Sequence, residues 1–201
     1  MSFFDEEFLE PIAREFRFRK SVKYIPNKNI FKLVDLGCGP KIRFLKYLVK
    51  KRFIVKNYVG IDPLINNTSV KSVDFGSVVR LIKAPLDKKI PLPSKSADVV
   101  VGFAFLEHIY NPEEILKESI RVLKNGGIAI FTTPTQRAKF LLEFLSFRLR
   151  LISEREIREH KRYFDKKNLI EILSTMKKEI RMHHEYFEFG FNNLIVIRKI
   201  K

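Results

Sequence analysis

Phe31-Lys32-Leu33-Val34-Asp35-Leu36-Gly37-Cys38-Gly39-Pro40 reads as a strand, a glycine turn and the start of a helix. Residues 31–36 are a mostly apolar run, which suits a strand covered on both faces. Gly37 and Gly39 remove side chains from the turn, so a ligand can approach its backbone. Pro40 suits a first helical position, and Phe44, Leu45, Leu48 and Val49 recur behind it at helical spacing. The helix N-terminus so formed attracts an anionic group. A dinucleotide fingerprint would place a third glycine at position 42, where the chain has Ile42, so a pyrophosphate ligand is disfavoured. Asp35, inside the motif, points instead to a ligand with a positive group.

Outward from this unit, strand-like and helix-like segments alternate, which predicts an α/β sheet wound on both faces. Strands are expected at 57–61, 78–82, 97–103 and 128–132, with two closing strands at 180–188 and 193–198. Asn111-Pro112-Glu113-Glu114 has the cap residue, first-turn proline and acids of a helix start, and Asn125-Gly126-Gly127 has the glycines of a helix end. Asp165 is expected to cap a helix running to about position 178. Residues 1–29 read as a helical N-terminal cap interrupted at Pro11. Residues 134–164 read as an inserted lid holding one amphipathic helix. All of this fits within 1–201 as one domain.

Asp62 ends the second strand, 23 residues past Gly39. An acid there sits beside the switch point of an open sheet, and its two oxygens can accept both hydroxyls of a ribose. The plain structural alternative makes Asp35 a cap and Asp62 a turn residue before Pro63.

Composition bounds the rest. The 201 residues are 45% hydrophobic, which excludes wholesale disorder, and the single cysteine excludes a disulfide framework and a multi-cysteine zinc site. No apolar run reaches the ~18 residues of a membrane span, and Asp5, Glu6 and Glu7 stand where a secretory signal would be basic. A cytoplasmic protein is expected. Thirty-nine basic against twenty-three acidic residues give a net charge of +16, which favours polyanionic surroundings. Because these charges are spread along the whole chain, a generally lysine-rich surface explains them equally.

The motifs together resemble class I S-adenosylmethionine-dependent methyltransferases, of the methyltransferase type 11 and ubiquinone-methylase-like group. The likeness is carried by 33–40, 58–63, 90–93 with 97–102, Phe105-Leu106-Glu107-His108, 111–134 and His160-Lys161-Arg162-Tyr163-Phe164-Asp165. It implies a Rossmann-like seven-stranded sheet, mostly parallel with the last strand antiparallel, and a lid after strand five. It further implies that Gly37, Cys38 and Gly39 line the methionine moiety of S-adenosylmethionine, with Asp35 near its ammonium. Asp62, followed by Pro63, takes the ribose hydroxyls. Ala84 and Leu86 flank the adenine, and Phe103 and Ala104 lie near the sulfonium. Lys41 and Lys83 depart from the family's small residue and acid, so the adenine would be held by backbone and apolar contacts.

The sulfonium carries the chemistry, so the protein has to align the reacting atoms. A base is needed only for an acceptor that loses a proton, and Glu107, His108 and His160 are the candidates. The bland alternatives are a pocket-shaping role for His108 and a hinge contact for His160; His183 and His184 read as parts of a late strand. No metal is expected. The product would be S-adenosylhomocysteine.

Gly102-Phe103-Ala104-Phe105 lacks the Asn/Asp-Pro-Pro-aromatic sequence of base-amino methylation, and the only cysteine lies in the cofactor turn, which disfavours cytosine C5 chemistry. The expected acceptor is a small molecule or a glycan- or lipid-linked intermediate, with RNA second. The basic, Phe/Leu-rich stretch 137–152 suits a lid packed on the domain, a peripheral contact with the inner membrane face, or a dimer contact. Monomer and homodimer stay open. Two other classes stand beside the enzyme: a cofactor-binding regulatory module without turnover, and another nucleotide-binding α/β enzyme such as a dehydrogenase.

Overall fold

In β1 (Asn29–Leu36) the four successive residues Leu33, Val34, Asp35 and Leu36 are all buried. Successive side chains of a strand point to opposite faces. Leu33 therefore enters one core with Phe44, Leu45 and Leu48 of α2 (Arg43–Lys50). Val34 and Leu36 enter the other with Ile115, Leu116 and Ile120 of α3 (Pro112–Val122). These two cores lie on either side of the sheet. The computed structural model describes residues 10–66, 69–73, 76–143 and 160–200.

The remaining strands are β2 (Ile54–Ile61), β3 (Ser69–Val73), β4 (Ser77–Ile82), β5 (Ala97–Phe103), β6 (Leu123–Pro134), β7 (Ile180–Phe187) and β8 (Asn192–Lys199). Their order is β3-β4-β2-β1-β5-β6-β8-β7. β4, β2, β1, β5 and β6 pair in parallel, while β8 runs antiparallel to both β6 and β7. The expected doubly wound seven-stranded sheet is present, with β3 as an eighth strand antiparallel to β4 at the edge. The chain leaves β1 toward β2 on one side and reaches β5 on the other. The ends of β1, β2 and β5 meet in register, with Leu36 opposite both Ile61 and Gly102. That is the switch point where open α/β sheets bind ligands.

Several boundaries differ from expectation. Pro40 is not helical: α2 starts at Arg43, after Ile42 in the left-handed region with φ 43°. The chain needs the longer turn because the Gly37–Gly39 segment folds back over β2. α3 ends at Val122 rather than at the glycines; Lys199, buried in β8, donates from Nζ to the carbonyls of Ile120 at 2.7 Å and Leu123 at 3.0 Å. A lysine from the far end of the chain thus supplies the donors that the last turn of a helix lacks. Asn111 precedes α3 without a side-chain capping bond; its carbonyl accepts from the Ile115 amide. α5 (Lys166–Ser174) is capped by Asp165 and Asn168 as a reciprocal box, but it ends four residues before the expected position 178.

α1 (Glu10–Ser21) holds Pro11 in the first turn described, and the expected interruption there falls against residues 1–9, which lie outside the described residues. Phe18 of α1 packs on Phe44 and Tyr47, and Tyr24 and Lys20 tie the segment to Glu185 of β7 at 2.8 and 3.1 Å. Of the expected lid, α4 (Ala138–Glu143) is seen; Phe144, Leu145, Phe147, Arg148, Arg150, Leu151 and Ile152 lie outside the described residues. Among the described residues no helix is long and apolar enough to cross a membrane.

Candidate active site

The turn after β1 is built by left-handed backbone at Gly37 (φ 71°) and Gly39 (φ 61°), conformations that favour glycine. It is fixed to β2 by two bonds: Gly37 N–H donates to the Ile61 carbonyl, and Gly39 N–H donates to Asp62 Oδ2, both at 2.9 Å. The second Asp62 oxygen accepts from the Leu64 amide at 2.7 Å. Asp62 is only 6% exposed, yet each oxygen keeps a further lone pair. A β-carbon at Gly39 would meet nothing within 4 Å, so the turn is open on that side.

Beneath the turn, Asp35 is fully buried and accepts a 2.5 Å bond from the Tyr58 hydroxyl. Burial pushes its carboxyl up to about 7, Tyr58 pulls it partly back, and the charge of Asp62 pushes it further up. Burial, then Asp35 and Asp62, drive the Cys38 thiol up as well, so it stays protonated and is no nucleophile. Two carboxylates against one side-chain-free turn form an electronegative cradle. A ligand with cationic groups and a pair of vicinal hydroxyls complements it.

Of the other expected cofactor contacts, Pro63 is exposed directly after Asp62, Ala84 is half-buried past β4, and Leu86 is buried in the core with Ile82 and Ile90. The Phe103 ring turns toward Phe18 and Phe44, 5.0 and 4.6 Å away between centroids. Ala104 takes the left-handed region with φ 45° and donates to the Thr132 carbonyl at 3.0 Å. It is the Phe105 ring, rather than Phe103, that lies against the turn, 2.9 Å from where a Gly37 β-carbon would stand.

Directly after Phe105, the 3₁₀ turn Leu106–His108 carries part of a second polar group. One donor atom each from Glu107, His108 and His160 lie within 4.8 Å of one another. The structure therefore unites the three candidates, whose extremes, Glu107 and His160, lie 53 positions apart. The Lys161 amide, donating to the Glu107 carbonyl at 2.8 Å, fastens the two segments. The His108 and His160 rings meet edge to face at 4.8 Å, and His160 Nδ1 lies 3.1 Å from the Tyr163 hydroxyl. Glu107 is wholly buried, and neither carboxylate oxygen has a hydrogen-bond partner among the described residues. Burial raises its pKa to about 7, against the opposing pull of its own amide, the nearby Thr133 hydroxyl and Arg17. Burial, then His108 and Arg17, lower His160 to about 4, so it is neutral at ordinary pH.

The profile of a methyltransferase domain matches residues 3–176. The chain belongs to the class I S-adenosylmethionine-dependent methyltransferase family. Among curated relatives of this methyltransferase-family chain, the ubiquinone biosynthesis O-methyltransferase of Pelagibacter ubique is 30% identical over 141 residues, covering 65% of the chain and 52% of that protein. The chain thus spans about half the length of that relative. Two solved structures share the fold. The methyltransferase complexed with the Trm112 activator of Haloferax volcanii has a TM-score of 0.68 at 14% identity, covering 94% of this chain and 92% of that one. The plantazolicin methyltransferase BpumL, solved with a substrate analogue and SAH, gives 0.66 at 14% identity, covering 94% and 84%.

Sequence reasoning missed several residues that shape the candidate site or lie near it. Tyr58 bonds Asp35, and Gly60 makes room for the turn: a β-carbon there would lie 2.6 Å from Cys38 Sγ. Arg17 of α1 is buried and bonded to Glu10 at 2.6 Å. Gly60 had a legible signal, since it sits one strand over from Asp35 in a β-branched run. Arg17 and Tyr58 had none. His183 and His184 lie in β7, the late strand expected for them, and contact Tyr24 at 3.0 Å and Asn193 at 2.9 Å.

Proposed function

We propose that the chain transfers a methyl group from S-adenosylmethionine to a small-molecule or glycan- or lipid-linked acceptor and releases S-adenosylhomocysteine. The observation that carries this is Asp62, held by the Gly39 and Leu64 amides with acceptor capacity left on both oxygens, at the switch point of the sheet. Asp62 would take the ribose hydroxyls. Gly37, Cys38 and Gly39 would line the methionine portion, and ionised Asp35 would offset its ammonium. Pro63, Ala84 and Leu86 would border the adenine, with Phe103 and Ala104 toward the sulfur. Bound there, the cofactor supplies an electrophilic methyl group. Glu107, His108 and His160 follow Phe105, whose ring lies against the turn, and would face the acceptor. They would orient its nucleophilic atom and receive its proton where one must leave.

The name of the Pelagibacter relative supports an oxygen nucleophile on a lipid-linked ring. α4 agrees with such an acceptor: Phe140 is 80% exposed beside exposed Arg137 and Lys139, a combination suited to an anionic lipid surface. Calorimetry with S-adenosylmethionine and S-adenosylhomocysteine tests the cofactor reading, and absence of binding at millimolar ligand rejects it. Retention on anionic vesicles, with loss in Phe140→Ser, supports the lipid-linked acceptor. Salt-sensitive retention on RNA instead would favour the RNA reading that the +16 charge permits.

A further inference from the structure

We propose that Glu107, His108 and His160 bind one divalent transition-metal ion of the zinc class. One carboxylate oxygen and two imidazole nitrogens already lie within 4.8 Å of one another. An ion about 2.0–2.2 Å from each donor brings them to roughly 3.3 Å apart, a modest side-chain rotation. Mixed nitrogen and oxygen donors select zinc, cobalt, manganese or iron over magnesium and calcium, which prefer oxygen throughout.

Glu107 is the independent sign of a missing cation. Its carboxylate is 0% exposed and neither oxygen has a hydrogen bond among the described residues, a costly state for a buried polar group. Arg17, a buried cation whose charge acts on Glu107, is engaged with Glu10 at 2.6 Å. The arrangement also has the outer support that metal-bound imidazoles usually show. Tyr163 holds His160 Nδ1, leaving Nε2 for an ion, and the Lys161-to-Glu107 backbone bond fixes the two ligand-bearing segments together. Three protein ligands leave a coordination position open. On the methyl-transfer reading, an acceptor hydroxyl bound there would lose its proton to solvent near neutral pH rather than to the three metal-bound side chains; its oxygen keeps the electron pair that forms the new bond to the methyl carbon, while the bond from that carbon to sulfur breaks and its pair returns to sulfur as S-adenosylhomocysteine leaves.

The test is metal binding by the full chain, with no cofactor or acceptor present. Chelator-treated protein is titrated with Zn²⁺ by calorimetry and with Co²⁺ by visible absorption, with Mg²⁺ as comparison. One Zn²⁺ per chain, Co²⁺ bands of low coordination number and no comparable Mg²⁺ binding are expected. His160→Ala and Glu107→Gln should weaken Zn²⁺ at least about tenfold, and Tyr163→Phe by a similar order, while His183→Ala leaves it unchanged. Circular dichroism of the metal-free variants checks their fold, and His108→Asn offers a second ligand substitution if one of them unfolds. Zn²⁺ affinity that is equal in wild type and folded ligand variants, or lost only with His183→Ala, overturns the proposal. S-adenosylhomocysteine binding measured on the same samples reports separately on the cofactor reading.

Discussion

Gly39 and Asp62 are joined across 23 positions by a 2.9 Å bond from the Gly39 amide to the Asp62 carboxylate. The bond makes one unit of the glycine turn after β1 and the acid after β2. The residue proposed to grip the ribose also holds the shape of the turn that faces the rest of the ligand.

Asp62→Ala should therefore act twice. Loss of charge-assisted bonds is expected to weaken S-adenosylhomocysteine by about 1.5–3 kcal/mol, and loss of the Gly39 and Leu64 acceptors to lower stability by about 1–2 kcal/mol. Calorimetry reads the first and urea unfolding the second. Unchanged affinity in a folded variant would remove Asp62 from the site.

Asp35 makes stability depend on pH. Its folded carboxyl lies at about 7, above its unfolded value near 3.8, so the folded state holds more protons between those limits. The contribution is full below about pH 4 and declines as pH rises through 7, at no more than about 1.4 kcal/mol per pH unit. The Asp35→Asn variant should lose less stability than wild type between pH 5 and pH 8 in urea melts. Parallel curves would show that Asp35 does not titrate there.

Tyr58→Phe removes the 2.5 Å donor to a buried carboxyl. A cost of about 1–3 kcal/mol is expected. In the Asp35→Asn background the same change should cost a different amount, because the two groups share one bond. Strict additivity in the double-mutant cycle would count against that coupling.

Gly60→Ala puts a β-carbon 2.6 Å from Cys38 Sγ, 3.0 Å from Leu81 Cδ2 and 3.1 Å from Tyr58 Cε1. Overpacking of this kind costs about 1–3 kcal/mol. Adding Cys38→Gly should recover part of it by removing the sulfur, with unfolding midpoints as the measure. No recovery would mean that Leu81 and Tyr58 dominate the clash.

Lys199→Met leaves the Ile120 and Leu123 carbonyls without their buried donor. A loss of about 1–3 kcal/mol follows, or roughly 2–12 °C in Tm for a domain of this size. An unchanged melt would show that water replaces the ammonium there.

The amino-acid order by itself determined the wound α/β sheet, the glycine turn and the acid one strand away. Each rests on interactions within a few residues: apolar runs of strand length, glycines at left-handed positions, an acid closing a strand. Local rules misplaced the ends of elements, because the last turn of α3 meets Lys199 from the last strand and α2 starts only after Ile42 in the left-handed region, neither of which the local pattern signals. Only the tertiary structure decided that Glu107, His108 and His160 form one cluster, that Glu107 lacks a partner and that Phe105 rather than Phe103 covers Gly37. Those facts depend on which side chains meet after the sheet closes, and on how much water is removed from them. No spacing along the chain encodes either quantity.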